Sequence, residues 1–563
     1  MVAALLIGLY ILGLCIPYGL FVVWLTGKAT GKTITPPSLW QAWLAGFCIV
    51  SGLASILSLF IYLALAANLI LLGGAVLILG WLWKKGGLKW KRQPLVLHPL
   101  TALAGILCLL IVLEIATQRG NNPDTGIYHA QAIRWIETFP VVPGLGNLHT
   151  RFAYNSSWLV ANALFSFAFT GLRSFHLLPG VFYLFFLWNL AAGINRLLKG
   201  SRKPSDILQL LLLPAAIYTQ GNAFSSPGTD FPAILLTWIL VVEWMRWMEE
   251  EPPRRSFRPY LLVLLAASAL TIKLSAAPLL LLAAAAGLRL AVQKEWKGLL
   301  VMAALGVLAL LPWVARNIVL SGYPVFPEPA IDPFSVDWKI PPDIAAAEKE
   351  SIQSWAKIPR LEVAAVQAMS LREWAVIWYY NQTTNRKAML WGIPILPAGF
   401  LLYVLLFRAS GRPLLKRLLS YSLAYVTVLL GGIFWFLSAP SFRFGIGWVT
   451  AALLLGLLPW ALLAACWFKH PARLWQAGAT VILVYLGLML AQSFQGNTFT
   501  QRLLLPADYI QLPTHPCQFS GFKVMCADLY QECWYDPFPC VPGGNPQVEM
   551  RGATIRQGFR WIQ

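Results

Sequence analysis

The sequence predicts an all-α protein that crosses a membrane about fourteen times, and three observations predict it. Of 563 residues, 58% are hydrophobic and only 12% are charged, far from the balance of an ordinary soluble domain. Apolar runs of ~20 residues recur along the chain, each long enough to cross a bilayer as a helix. The basic residues sit in short clusters between those runs, as happens when cytoplasmic loops collect Lys and Arg. The net charge of +20 is therefore membrane topology, and its distribution argues against a nucleic-acid partner.

The first expected span, 3–25, has no basic n-region and no small-residue cleavage site, so it reads as a retained helix and not a signal peptide. Spans 39–60 and 62–83 lead into KKGGLKWKRQ, with five basic residues in ten and no acid. That loop belongs in the cytoplasm, which puts the N-terminus outside and brings span 98–117 out just before Asp124. Glu114 lies inside this span. Segment 155–171 is apolar enough to count as another span, with Asn155 or Ser156 as N-cap and Gly171 as stop. Counting it would put NRLLKGSRK, after span 175–195, on the outside. It is therefore expected to be a partly embedded surface helix. The remaining spans are 206–219, 230–247, 260–272, 274–291, 299–318, 390–407, 417–437, 445–467 and 474–494. RRSFR, QKEWK, RASGRPLLKR and KHPAR then all fall inside.

Three parts follow. Residues 1–97 hold three leading helices. Residues 98–494 form the membrane core, with a first outer loop at 118–174 and a long one at 321–389, and 495–563 make an outer tail. Cys15, Cys48, Cys108 and Cys466 lie in apolar runs, as inert core residues. Cys517, Cys526, Cys533 and Cys540 crowd the Pro-rich tail, and on the outer side they favour disulfides over zinc.

Acids are scarce, 23 in the whole chain, so a lone one at the membrane edge is a functional candidate. Asp124 opens a segment in which Tyr128, Ala132, Trp135 and Ile136 share one helical face, while Arg134 and Glu137 take the other. This is an amphipathic helix at the interface, and Asp124 is its N-cap, worth about 1 kcal/mol, or a reacting group, or both. Asp230, in TQGNAFSSPGTDFPA, offers the same pair of readings. Lys273, in SALTIKLSAAPL, is a lone cation between two apolar helices: it snorkels to the headgroups or meets a phosphate. Arg316 and Arg443 sit at outer span ends, where the charge rule does not place them. Tyr128, His129, Asn147, His149, Arg151, Tyr154 and Asn155 make a plausible lining for a hydroxyl-rich ligand. His129 and His149 are twenty residues apart with no recurring ligand spacing, so a divalent metal is possible but not favoured. GLGN at Gly144–Asn147 lacks the strand, Lys and spacing of a phosphate loop, and no nucleophile elbow is present.

These residues also carry a resemblance. An Asp just after a span, followed by YHAQAIRWIETFPVVPG and an apolar helix, resembles the first outer loop of the GT-C glycosyltransferases. Those are polytopic enzymes that take sugars from polyprenyl-phosphate carriers. SSPGTDFP, LTIKLSAAP, WVARNIVLSGYPVFP and APSFRFG are similar to later pieces of that superfamily, collinear from about 98 to 450. VPGLGNLH, NSSW and the tail CWYDPFPC…RGATIRQGF more closely resemble a family of bacterial integral membrane proteins.

The GT-C likeness implies a general base, Asp124, acting on an acceptor hydroxyl of a glycan, lipid or protein. It also implies stabilisation of the leaving lipid phosphate by Lys273, Arg316 or Arg443, with Asp230 orienting the acceptor. An apolar groove would hold the isoprenoid, and the enzyme would sit in the bacterial cytoplasmic membrane with its site outside. Thr125 follows Asp124 with no second acid nearby, which departs from the metal site of oligosaccharyltransferases, and the three leading spans are extra to the usual core. Other classes stay open. An O-antigen polymerase or ligase would centre its chemistry on 321–389. A lipid or glycan transporter would show inverted repeats, which are not seen. A non-catalytic membrane protein is the fourth.

Overall fold

Backbone inside hydrocarbon finds no water, so each apolar run must satisfy its own peptide groups, and a helix does so. In the computed structural model this is what the runs do. The structure describes all residues except 86–96, 221–222, 251–255, 408–414, 416–417, 468–470, 494–499 and 563. Parts of four basic loops, and the side chain of Cys466, therefore lie outside the described residues.

The helices are α1 Val2–Thr30, α2 Leu39–Phe60, α3 Leu65–Lys84 and α4 Pro99–Ala116, then the shorter α5 Ala130–Thr138, α6 Leu145–Leu148 and α7 Ser157–Leu164. There follow α8 Leu178–Leu198, α9 Pro204–Gln220, α10 Asp230–Met248, α11 Arg258–Ile272, α12 Leu280–Val292 and α13 Trp296–Ser321. The long loop carries α14 Pro342–Lys357, α15 Val363–Gln367 and α16 Leu371–Tyr380. The chain returns through α17 Thr384–Leu406, α18 Ser422–Ser438, α19 Phe442–Trp467 and α20 Pro471–Ser493.

Among the described residues, eleven helices are long and apolar enough to cross a membrane. The protein is a multi-pass membrane protein. The expected spans 206–219, 260–272 and 417–437 are present as α9, α11 and α18, of 17, 15 and 17 residues. These are shorter than the ~20 residues that cover the hydrocarbon core. Length and composition thus mark eleven of the expected fourteen spans among the described residues. Contacts sort the connections into two ends. Lys32 pairs with Glu295, and Gln41 reaches Glu243. At the other end Arg316 meets Ser58, and Arg443 meets Asp230.

Segment 155–171 departs from expectation. Its helix, α7, has only 8 residues, about 12 Å at 1.5 Å per residue, so it does not span. Nor does it lie on a surface, because all of Ser157–Leu164 is buried, packed among α2, α5 and α11. Its apolar character serves a protein interior.

The polar face of α5, expected in water, is covered by the tail. Gln131 Nε2 donates to the carbonyls of Trp534, Tyr535 and Pro537 at 3.0, 3.1 and 2.9 Å. Arg134 pairs with Asp536, and Tyr535 Oη donates to Glu137 at 2.8 Å. The tail itself pairs β1 Thr514–Phe519 antiparallel with β2 Phe522–Ala527, which runs parallel to β3 Cys540–Val541; β4 Val548–Met550 pairs with β5 Phe559–Trp561. Disulfides Cys517–Cys526 and Cys533–Cys540 close it, as the oxidising-side reading expected, while Cys15, Cys48 and Cys108 are free and buried.

Glu114 meets the tail too. Its carboxylate, fully buried, takes Arg502 Nη2 at 2.7 Å. Removing one partner of a buried pair strands the other charge, at about 3–5 kcal/mol. Arg502→Met is expected to lower stability by that amount, read by thermal unfolding in detergent, and Glu114→Gln in the same chain should restore most of it. A single variant as stable as the parent would contradict the pairing.

Candidate active site

Asn122 starts the helix that carries Asp124. Its Oδ1 accepts the Asp124 N–H at 3.0 Å and its carbonyl accepts from Thr125 at 2.9 Å. The Asp124 carboxylate makes no capping bond. It is free to reach outward, and Arg443 Nη2 lies 2.7 Å from its Oδ2. Arg443 Nε is 3.0 Å from Asp230 Oδ2, and Lys273 donates to the other oxygen of Asp230. Four side chains singled out in the sequence thus form one chain of alternating charge, Asp124–Arg443–Asp230–Lys273.

Each member is set by a helix end. Asp230 opens α10, where the helix dipole favours an acid. Lys273 closes α11, and Arg443 sits in the first turn of α19. The side chains are 18 to 40% exposed, so a ligand can reach them. Aromatic rings flank the cations: Phe444 lies 3.9 Å from Lys273 and 5.0 Å from Arg443, and Trp355 of α14 lies 5.5 Å from Arg443.

After Asp124 the helix widens into one π turn, Thr125–His129, closed by Ala130 N–H on the Thr125 carbonyl. Such turns often mark functional positions. This one places Thr125 Oγ1 3.2 Å from His129 Nδ1. His129 Nε2 is buried and has no hydrogen-bond partner among the described residues. The tail presses on the turn: Cys533 and Trp534 donate to the Gly126 carbonyl at 2.9 and 2.8 Å. A Cβ on Gly126 would come within 2.8 Å of the Trp534 ring, so only glycine admits this approach.

Burial by itself would raise the Asp124 carboxyl, but Arg443, helped by His129, Arg151 and Lys273, outweighs it and holds the group below its ordinary value. Burial pushes His129 down to about 4, against the pull of Asp124. Burial also raises the Tyr128 phenol, with Asp124 adding to it. At neutral pH the site therefore holds an ionised Asp124 beside a neutral imidazole.

The other expected lining residues divide. Arg151 lies over the Tyr128 ring at 5.8 Å and 4.0 Å from Glu348. Tyr154 packs edge-on to Tyr128 at 5.7 Å and donates to Glu348. These stay close to Asp124. Asn147 is structural, donating to the Trp338 and Phe559 carbonyls at 2.8 and 3.2 Å. His149 accepts the Arg151 N–H at 3.3 Å. Asn155 donates to Trp313 at 2.9 Å and accepts from Arg316 at 3.1 Å. Arg316 is 3% exposed, and among the described residues no ion pair joins it to the cluster. Glu348 and Trp355 were not foreseen. They sit in a long polar loop where acids and aromatics have no distinguishing spacing. Among the described residues, no three His, Cys, Asp or Glu side chains converge to hold a metal.

The family described as "Domain of unknown function (DUF8201)" matches residues 1–450. The chain belongs to this family. The match includes Asp124, Asp230, Lys273 and Arg443 and leaves the disulfide-closed tail outside it. No curated protein and no solved structure matches the chain.

The electrostatics fix a pH response. Unfolded, His129 takes a proton below its ordinary 6.5; folded, only below about 4. As pH falls through that window the unfolded chain binds a proton that the native chain refuses, and stability drops by about 1.4 kcal/mol per pH unit for this residue. His149 and His176, both pushed to about 3 by burial, act in the same direction. Asp124, lowered in the fold, adds stability above its unfolded value of 3.8 that is lost at more acid pH. Thermal unfolding at pH 7, 6 and 5 should show the loss, and His129→Gln should reduce its slope by one proton's worth. An unchanged slope would mean that His129 is not held neutral.

Proposed function

We propose that the protein is an integral membrane glycosyltransferase, moving a sugar from a polyprenyl-phosphate carrier to an acceptor hydroxyl at the outer face. The observation that supports it is the alternating cluster of Asp124, Arg443, Asp230 and Lys273, gathered from four segments at one end of the helices. Structural ion pairs are common, but this one is partly open, flanked by rings, and has a buried imidazole with an unpartnered nitrogen beside it.

In this reading the acceptor oxygen attacks the anomeric carbon and Asp124 takes its proton, at hydrogen-bond reach. The bond from anomeric carbon to phosphate oxygen breaks, and the lipid phosphate leaves with the electron pair. Arg443 and Lys273 stabilise that charge as it develops. Before substrate arrives, the same cations hold Asp124 and Asp230, so an incoming phosphate competes with the carboxylates. Drawing Arg443 away relieves the pull that lowers Asp124 and makes it a better base. Asp230 keeps Lys273 in place, and Tyr128, Phe444 and Trp355 supply apolar ring faces for a sugar. Two-metal or single-metal assistance is no part of the scheme.

The test is sugar transfer by the purified chain from labelled polyprenyl-phosphate hexoses and pentoses. Asp124→Asn preserves shape and removes the base, and transfer is expected to fall by about 10²–10⁴-fold with the fold intact. A folded Asp124→Asn chain that transfers sugar at the parent rate would sink the assignment.

A further inference from the structure

A short helix in a water-facing loop turns its polar residues outward, and α16 does the reverse. Trp374 and Trp378, one turn apart, both pack on the Phe436 ring at 5.2 Å. Trp378 Nε1 also donates to the Pro440 carbonyl at 2.6 Å. This side holds α16 against the end of α18 and the turn that leads to Arg443. Val376, Ile377 and Tyr380 fall on the other side of the helix and are 47, 38 and 73% exposed. The charged residues of α16, Arg372 and Glu373, are confined to its first turn, where Glu373 closes a capping box with Ser370. At 10 residues the helix is about 15 Å long, too short to span.

The neighbouring span shows what covers this face. Residues 381–383 lead from α16 into α17, of which only Phe400 and Val404 are buried, so α17 shows most of its surface to lipid. The end of α16 is tied alongside the first turns of that span. Trp391 Nε1 donates to Tyr379 Oη at 2.8 Å, and Lys387 Nζ donates to the Tyr380 carbonyl at 3.1 Å. The apolar face of α16 therefore continues onto a lipid-facing helix. Tyr379, Tyr380 and Trp391 are of the types that collect where membrane meets water. Arg372 and Arg386 are exposed and Lys387 is half-buried, and no ion pair among the described residues includes any of the three. We propose that α16 is a membrane-surface helix, with Val376, Ile377 and Tyr380 seated in the boundary between headgroups and acyl chains. Arg372, Arg386 and Lys387 hold the phosphates of anionic phospholipids around it. A soluble partner could not cover a face that runs on into a membrane span. The inference does not depend on the glycosyltransferase reading.

The test is fluorescence quenching of the full chain in phosphatidylcholine nanodiscs. A small fluorophore is placed on an introduced cysteine, and a trace of phospholipid carries a nitroxide near the head of its acyl chain. The parent chain, treated alike, supplies the background. Val376→Cys and Ile377→Cys labels are expected to be quenched as strongly as Leu402→Cys on α17, and a Gln547→Cys label in the tail is not. In the Val376→Cys chain, nitroxide phosphatidylglycerol should quench at least about twofold more efficiently than nitroxide phosphatidylcholine, since each cation at a membrane surface favours an anionic lipid several-fold. Replacing Arg372, Arg386 and Lys387 together by Gln should bring that ratio to about one. Val376 and Ile377 labels that escape quenching, as they would under water or under a second copy of the chain, would overturn the placement. Equal quenching by the two lipids before the cations are replaced would overturn the phosphate contacts.

Discussion

One end of the helix array turns on Arg443. Two carboxylates brought together at a membrane edge repel, and one of them would be driven to take a proton. Asp124 and Asp230 escape this because one guanidinium faces both, at 2.7 and 3.0 Å. Its planar, delocalised fork presents donors in more than one direction, which a lysine ammonium does less precisely. Lys273 then balances the second oxygen of Asp230. The start of α10, the end of α11, the start of α19 and the segment that joins α4 to α8 are held in register by this chain of charges.

The position of Asp124 also depends on residues about 400 further along. The Cys533–Cys540 loop is closed by a disulfide and clamps the π turn through the Gly126 carbonyl. Gln131 of α5 binds three tail carbonyls and accepts from Cys540 N at 3.1 Å. Glu114, at the end of α4, binds Arg502. The tail is thus a strap over the segment that joins α4 to α8, and it covers the polar face of α5. Beneath it lie Glu137 and His176, both bonded to Ser174, at 2.7 and 2.8 Å. Burial raises the Glu137 carboxyl and pushes His176 down to about 3, so the imidazole beneath the strap is neutral at neutral pH.

Much of the fold was legible because the bilayer imposes a simple rule. A run of ~20 apolar residues must be a helix, and charge asymmetry orders the loops. That is why 39–60 or 230–247 needed no further information. The short helices α9, α11 and α18 blur the count, since hydropathy does not reveal where a run stops. Segment 155–171 shows the limit more sharply. Its composition suits lipid, a surface or a protein interior equally, and only its neighbours α2, α5 and α11 decide. The site was half legible for a related reason. Lone charges at the edges of apolar runs, Asp124, Asp230, Lys273 and Arg443, stand out against their surroundings. Glu348 and Trp355 do not, because they lie among similar residues in a polar loop. Asn147, His149 and Asn155 look like ligand-binding groups by type, yet the Asn147 and Asn155 amide nitrogens donate to backbone carbonyls, Asn155 Oδ1 takes Arg316, and His149 accepts a nearby backbone N–H.

The sequence by itself determined that this chain lives in a membrane, where its long apolar helices lie, and which charges are out of place there. Those follow from the solvent, acting on each segment separately. Tertiary structure alone decided that four of those charges meet and that Asn122, not Asp124, caps the helix. It also decided that Arg316 is buried apart from them, with neutral partners. These depend on how segments hundreds of residues apart are brought together. A carboxylate or guanidinium looks the same in a sequence whether its partner is a neighbour, a distant helix end, or none.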